Sequence, residues 1–339
     1  MKRGIVIGGG IAGVTAASAL AKLGIEVALL EKEPEVGGHL RNWDRLFPSR
    51  RKSTEVLQFL TKQINSTISI HTNQKVVSIQ EKHGHFVVET EKGLIVEGDS
   101  ILLATGFELF DASKKEEYGY GIYENVITSV ELERMFQDGK GILTQQGTIP
   151  KRIGFIHCVG SRDEKVGHLY CSKVCCVTGV KQAIEIKETI PEAEVFGFYM
   201  DLRMFDRYFE EMYFEAQQQW GINFIRGRLS ECSENPDHSI LVKVEDTLTS
   251  RPLRMTVDLL VLLVGFIPSA ETNQLASMLE IPIGEDGFLE PVDEHTLTNS
   301  AQHPGVFLAG ALKGPVCISE TFADARATAV QMAAYLNPY

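Results

Sequence analysis

An α/β fold built on parallel sheets is expected for this chain, on three observations. Apolar runs such as "GIVIGG", "IEVALLE", "SILLATGF", "IGFIHC" and "VDLLVLLVGF" recur between helical patterns. Runs of that type are what strands buried on both faces require, and the alternation is that of strand and crossover helix. The length of 339 residues is enough for two domains with proper cores, and the ordinary apolar content excludes a disordered or fibrous chain.

The elements follow in order. "GIVIGG" is expected as a strand, "IAGVTAASALAKLG" as a helix stopped by Gly24, and "IEVALLE" as the next strand. "RNWDRLFPSRRKSTEVLQFLTKQIN" predicts a loop and then a helix from about Ser53, "TISIHTNQKVVSIQ" and "HFVVET" a small meander, and "SILLATGF" a buried strand. Beyond Phe107 the polar, Gly- and Tyr-rich "DASKKEEYGYGIYEN" marks a crossover between domains. A second series runs through "IGFIHC", a helix over "VKQAIEIKETI", the strand "EVFGFYM", a helix in "FDRYFEEMYFEAQQQWG", and the strands "INFIRG" and "SILVKVED". "VDLLVLLVGF", "GVFLAG" and the helix "ETFADARATAVQMAAYL" close the chain. The division expected is a discontinuous domain, 1–110 with 256–339, interrupted by a second domain, 111–255. No internal repeat is visible.

Gly8, Gly10 and Gly13 satisfy G-x-G-x-x-G between a strand and a helix. Gly8 suits the tight turn, Gly10 the approach of a pyrophosphate, and Gly13 close helix–strand packing. Ile11 and Ala12 open the helix whose free N–H groups and dipole face the phosphates. Glu31 ends the second strand eighteen residues after Gly13, where a carboxylate accepts from a ribose, and Lys32 follows it. A glycine pattern alone is weak, but strand, turn, helix, strand and acid in sequence point to a dinucleotide site. Gly37-Gly38 in "EKEPEVGGHL", Ala104-Thr105-Gly106 in "SILLATGF" and Gly310-Ala311 in "GVFLAGA" then resemble the further motifs of flavoproteins with two dinucleotide-binding domains. That resemblance implies a fold like thioredoxin and glutathione reductases, with parallel Rossmann-type sheets, and FAD as cofactor. It adds Gly38, His39 and the backbone of Val76 to the FAD contacts. Relatives carry Asp where Ala311 stands, so contacts near the flavin ring are expected to differ. The last helix, opening near Glu320, is expected to direct its positive end toward the flavin. Lys313 is either a further positive charge there or a surface lysine.

Where a second glycine fingerprint would follow "IGFIH", the chain has "CVGSRDEKVGHLYCSKVCC". Four of the six cysteines fall here: Cys158, Cys171, Cys175 and Cys176. Clustered thiols of this kind read as a metal or redox site. A [4Fe–4S] cluster takes four thiolates from one flexible segment. Zinc is served by two separated Cys pairs, which adjacent Cys175-Cys176 match poorly. A reactive dithiol needs only two of them, and four buried cysteines acting as small hydrophobes conflict with the polarity of "SRDEKVGH". Spacing favours the cluster over zinc. His157 and His168 flank these cysteines as polar neighbours; Cys232 and Cys317 are expected to be packing residues. Arg50-Arg51-Lys52 is read as a solvated helix start or a phosphate contact.

"ATGFELFDASKKEEYGYGIYENVITSVELERMF" and "PKRIGFIHCVGSRDEKVGHLYCSKVCCVTGVKQA" resemble the A-type subunit of heterodisulfide reductase, nearest to the short A-like form in the heterodisulfide-reductase-like complex of sulfur oxidisers. The A-type flavoprotein of the quinone-interacting oxidoreductase of sulfate reducers is similar too. The resemblance implies that Cys158, Cys171, Cys175 and Cys176 carry a [4Fe–4S] cluster near FAD. It implies an electron-transfer role in sulfur oxidation, with B-like and C-like subunits and a lipoylated carrier protein as partners, and a homodimer. The aromatic, acidic helix holding Phe209 and Tyr213 is a candidate dimer surface. No side chain presents itself as a general acid, base or nucleophile. The competing class is a self-contained NAD(P)H-dependent disulfide reductase, and a zinc-stabilised FAD scaffold is a third.

A net charge of −12 argues against sequence-independent nucleic-acid binding. The longest apolar run, "LLVLLV", is far short of a membrane span. "MKRGIVIGGG" reaches its glycine turn too early for a signal peptide, and unpaired cysteines suit a cytoplasmic location.

Overall fold

The computed structural model describes residues 2–337. The chain forms two compact units. The first takes the N-terminal segment up to Arg41, Thr54–Glu108, and everything from Ile267; the second takes Asn42–Ser53 and Leu109–Phe266. The strand Leu259–Val264, expected in the first domain, belongs to the second because it pairs in parallel with Arg152–Val159 along its length. The short stretch Asn42–Ser53 also joins the second unit, through Asp44, whose N–H donates to Glu133 Oε2 at 2.8 Å.

In the first unit a five-stranded sheet runs in the order Val306–Leu308, Ser100–Leu103, Arg3–Ile7, Glu26–Leu30, Ile68–His71, with every neighbour parallel. The central strands are apolar throughout because helices and a meander cover both faces. The meander, Val76–Lys82, His85–Thr90 and Ile95–Gly98, is antiparallel. Its inward residues Val76, Ile79, Phe86, Val88 and Val96 join Ile5, Ile7, Leu30 and Ile101 in one core. The helix Ile11–Lys22, whose Ala16 and Ala17 are buried, packs against the terminal helix Ile318–Leu336, in which Ala325 and Ala329 are buried too. Small residues on both helices let the two backbones approach.

The second unit repeats that plan with unrelated residues. Its parallel sheet runs Val126–Thr128, Leu259–Val264, Arg152–Val159, Glu194–Tyr199, Asn223–Arg226. A three-stranded antiparallel meander, Leu229–Glu234, Ile240–Asp246 and Arg251–Val257, follows. The helix Phe209–Gln218 starts later than its sequence suggests, since Tyr208 before it stands at φ +69°. Phe209 is buried with its ring edge-on to Phe47, which places it in the unit's interior, whereas Tyr213 is half-buried and packs on Phe224. Among the described residues no helix is long and apolar enough to cross a membrane.

Candidate functional site: a dinucleotide cradle and a four-cysteine segment

The first unit gathers the separated glycine motifs around one turn. Gly8 stands at φ +106°, and a β-carbon there would lie 2.4 Å from the Ala104 carbonyl oxygen. A β-carbon on Gly13 would lie 1.8 Å from the Gly8 oxygen, so helix and strand touch at a distance only glycine allows. At Gly10 the same atom would meet nothing within 4 Å. Gly10 is therefore not demanded by protein packing; it leaves space above the helix N-terminus, where a pyrophosphate belongs. Gly38 comes to that rim from one side, its β-carbon position 3.1 Å from Gly10 Cα, and Gly310 from another, 2.8 Å from Ala12 Cβ.

Glu31 is buried at the end of its strand and accepts from Gly9 N–H at 2.6 Å and Glu33 N–H at 2.8 Å. Each carboxylate oxygen keeps a further lone pair for a ribose hydroxyl. Val76 is buried at the start of the meander, and Gln74, two residues earlier, donates its N–H to the Glu31 carbonyl at 2.8 Å. His39 stacks on Phe107 at 4.3 Å, with Nε2 2.8 Å from the Phe107 carbonyl oxygen; burial pulls its pKa down. Thr105 Oγ1 is buried with no protein partner among the described residues. Lys32 pairs with Glu271 at 3.4 Å. The empty space over Gly10, the spare lone pairs on Glu31 and the orphaned Thr105 hydroxyl fit a dinucleotide.

Ala311 has no carboxylate to offer, and Asp324 of the terminal helix reaches the same turn from another direction. It accepts from Gly310 N–H at 2.6 Å, Lys313 Nζ at 2.8 Å and Asn299 Nδ2 at 2.6 Å. Lys313 also donates to the Thr298 carbonyl at 2.8 Å, so it is a bonded internal residue rather than a surface lysine. Asp324 gave no sequence signal, since an acid inside a helix is ordinarily solvated. The helix itself opens at Ile318, capped by Cys317, whose N–H donates to Glu320 at 2.8 Å.

In the second unit the strand Arg152–Val159 breaks register between Ile156 and Val159, and Cys158 there takes φ +60°. Arg162 at +53° and Lys173 at +66° repeat this left-handed geometry, uncommon without glycine and often found where a site over-determines the backbone. The residues after Cys158 fold back on themselves: Asp163 and His168 exchange backbone bonds at 2.8 and 3.1 Å, and Arg162 N–H reaches the Tyr170 carbonyl at 2.9 Å. This hairpin returns the chain to Cys171. Its base is fixed by buried Lys115, which donates to Asp163 at 2.7 Å, and by Ser172 Oγ, which accepts from Phe266 N–H at 2.9 Å. Cys175 and Cys176 form the first turn of the helix Cys175–Thr189, several residues before the helix expected from "VKQAIEIKETI". No side chain caps that end, so its free N–H groups and dipole favour thiolates.

All six cysteines are free. Cys158 Sγ lies 3.5 Å from Cys175 Sγ, Cys176 Sγ bonds the Asp201 carbonyl at 3.5 Å, and Cys171 Sγ accepts from Lys173 N–H at 3.3 Å. Hydrogen bonding with Cys175 draws the Cys158 thiol down. Cys176 falls to about 4, first through Cys175 and then through His157 and the Arg203 N–H. Cys175, bonded to both neighbours and wholly buried, is pushed well above the usual thiol range. In these rotamers the thiols bond one another, and among the described residues no three His, Cys, Asp or Glu side chains are spaced around a common metal position. The donor chemistry nonetheless fits a thiolate-bound group. His157 Nδ1, Ser161 Oγ and Arg162 Nη1 are buried without protein partners among the described residues, all within four residues of Cys158. Cys232 is separate, its thiol donating to the Tyr118 carbonyl at 3.0 Å and raised to about 12 by burial. Arg50 pairs with Glu215 at 3.0 Å and Glu188 at 3.5 Å, so it is an ion-pair anchor rather than a solvated helix start.

Residues 2–140 match the family model described as pyridine nucleotide-disulphide oxidoreductase. The chain is 33% identical to an iron-sulfur A-type subunit of the CoB–CoM heterodisulfide reductase of Methanopyrus kandleri, over 98% of this chain and 64% of that one. It is 32% identical to the A-type subunit of the H(2):CoB-CoM heterodisulfide,ferredoxin reductase of Methanothermobacter marburgensis, over 98% of this chain and 63% of that one. The chain thus spans just under two thirds of the length of these curated relatives. Among solved structures, the thioredoxin reductase of T. acidophilum superposes with a TM-score of 0.69 at 19% identity, covering 98% of this chain and 99% of that one. The thioredoxin reductase of Lactococcus lactis gives the same score and identity, over 99% of each chain. At that identity the likeness establishes the fold, a thioredoxin-reductase-like α/β architecture.

Proposed function

The chain belongs, along nearly its whole length, to the family of A-type subunits of heterodisulfide reductase, and from that premise we propose that it is an oxidoreductase subunit holding FAD in its first unit and a [4Fe–4S] cluster in its second. When bound, FAD supplies exchange of electrons singly or in pairs and the cluster supplies exchange one at a time.

The chain's own residues bind and orient. Gly10 leaves open space over the N-terminus of the helix Ile11–Lys22 that would take the pyrophosphate, Glu31 would hold the ribose, and Gly38 and Gly310 would close the rim. Cys158, Cys171, Cys175 and Cys176 would hold the cluster. Parting Cys158 and Cys175, now in contact at 3.5 Å, would free both sulfurs as ligands. The helix N-terminus under Cys175 and Cys176 favours their thiolates. The observation that carries this reading is the place of the thiols: they stand on the strand-to-helix turn of the second unit that is the counterpart of the glycine turn in the first. That exchange also weighs against a self-contained NAD(P)H-dependent disulfide reductase, which needs a nucleotide cradle there.

We extend the proposal to the setting. The resemblance supports a heterodisulfide-reductase-like complex with B-like and C-like subunits, a lipoylated carrier protein, cytoplasmic sulfur oxidation and a homodimeric state, with the quinone-interacting oxidoreductase as the alternative complex. Anaerobically purified protein is expected to contain FAD, iron and acid-labile sulfide, and to lose iron and sulfide but keep FAD when Cys158, Cys171, Cys175 and Cys176 are all changed to Ser. Zinc in place of iron, or iron retained by the quadruple variant, would refute the cluster assignment.

A further inference from the structure

Three buried polar atoms within four residues of Cys158 have no protein partner among the described residues, and two of them are donors whatever their protonation: Ser161 Oγ and Arg162 Nη1. Ser161 is completely buried and its N–H donates to the Cys158 carbonyl at 3.3 Å. Arg162 is held in the left-handed region. Its Nη2 donates to Asp201 Oδ2 at 2.8 Å, and Asp201 Oδ1 in turn takes Arg226 Nη2 at 3.4 Å. Asp201 also presents its carbonyl to Cys176 Sγ at 3.5 Å. One edge of the guanidinium is therefore clamped, while Nη1 is shielded from water with nothing to donate to. Its positive charge is coupled electrostatically to Cys158 and Cys171.

A buried guanidinium N–H without an acceptor is unfavourable, and so is a buried serine hydroxyl without one. The chain bears this in a segment already strained at Cys158 and Arg162. An acceptor delivered with a bound group removes the cost, and the acceptors of an iron–sulfur group are its sulfurs. We propose that Arg162, braced by Asp201, is a positioning residue of the cysteine site which, together with Ser161, donates hydrogen bonds to the sulfur atoms of the group held there and raises its reduction potential. The inference rests on the cluster assignment above and goes beyond it in naming the residues that set the potential. The sign follows from charge: reduction adds an electron to the group, and a fixed positive charge and aligned donors stabilise the more negative state.

The test is an EPR-monitored redox titration of the anaerobically purified full chain, with iron and sulfide measured on every sample. Arg162→Gln is expected to retain iron and to shift the midpoint to lower potential. Ser161→Ala and Asp201→Asn are expected to shift it in the same direction by less. Arg162→Lys, which keeps the charge without the fork, is expected to fall between wild type and Arg162→Gln. Should Arg162→Gln fail to keep iron, Ser161→Ala and Asp201→Asn decide. Loaded variants with the wild-type midpoint overturn the inference while leaving the cluster assignment standing. A wild type free of iron and sulfide overturns both.

Discussion

Gly10 and Gly13 stand three positions apart, yet the surroundings of their absent side chains differ completely. A methyl group at Gly13 would sit 1.8 Å from the Gly8 carbonyl oxygen, whereas at Gly10, with φ −74°, it would meet nothing. Gly13→Ala is expected to cost about 1–3 kcal/mol or more, because backbone must move against backbone. Gly10→Ala is expected to leave the melting temperature of the FAD-free protein unchanged or slightly raised, while greatly weakening FAD retention on gel filtration. Equal losses of stability in the two variants would show that Gly10 serves the fold and not a ligand. The glycine fingerprint was legible from sequence because Gly8 and Gly13 answer steric demands of the turn that only glycine meets, while Gly10 keeps the space above the helix open. Asp324 was not, because it reaches back fourteen residues to Gly310 from inside a helix, where an acid is ordinarily solvated.

The helix Cys175–Thr189 joins two kinds of chemistry. Its first turn carries thiols, and further along Lys181 bonds Glu133 and stands 3.1 Å from Glu185, all three buried. Burial, with the Glu133 charge adding to it and Lys181 opposing it, raises the Glu185 pKa to about 7 from an ordinary 4.5. The folded protein thus holds a proton on Glu185 in a range where the unfolded chain has released it. Stability from this group is complete below pH 4.5 and is lost as pH rises through 7, by roughly 3 kcal/mol in all. Urea unfolding at pH 5 and pH 8 is expected to show this fall, and Glu185→Gln to flatten it; an unchanged slope in the variant would place the pH dependence elsewhere. Sequence did not reveal where this helix begins, because Val174 provides no side-chain cap and Gly179 weakens the periodic signal. The element expected from sequence starts at Val180, which would put Cys175 and Cys176 on a loop and conceal the helix end beneath them.

Across the whole molecule the two units share one architecture, a five-stranded parallel sheet and a three-stranded meander, but have diverged at the turn after their central strands. Alternating apolar runs made the fold class readable. The duplication was not readable, since backbone plan is kept by burial and not by residue identity. The unit boundaries depended on long-range pairing, as Leu259–Val264 illustrates. The exchange of a glycine turn for cysteines predicts that NADH and NADPH will not bleach the flavin of the isolated protein in stopped-flow mixing; rapid bleaching would favour a self-contained reductase. The most direct measurement is an anaerobic dithionite titration of the purified protein, followed by visible absorption and EPR together. Flavin bleaching accompanied by a paramagnetic iron–sulfur signal in the same sample is the expected result. A protein that bleaches its flavin with no such signal at any point, and with no iron to give one, would contradict the pairing of flavin and cluster in one chain.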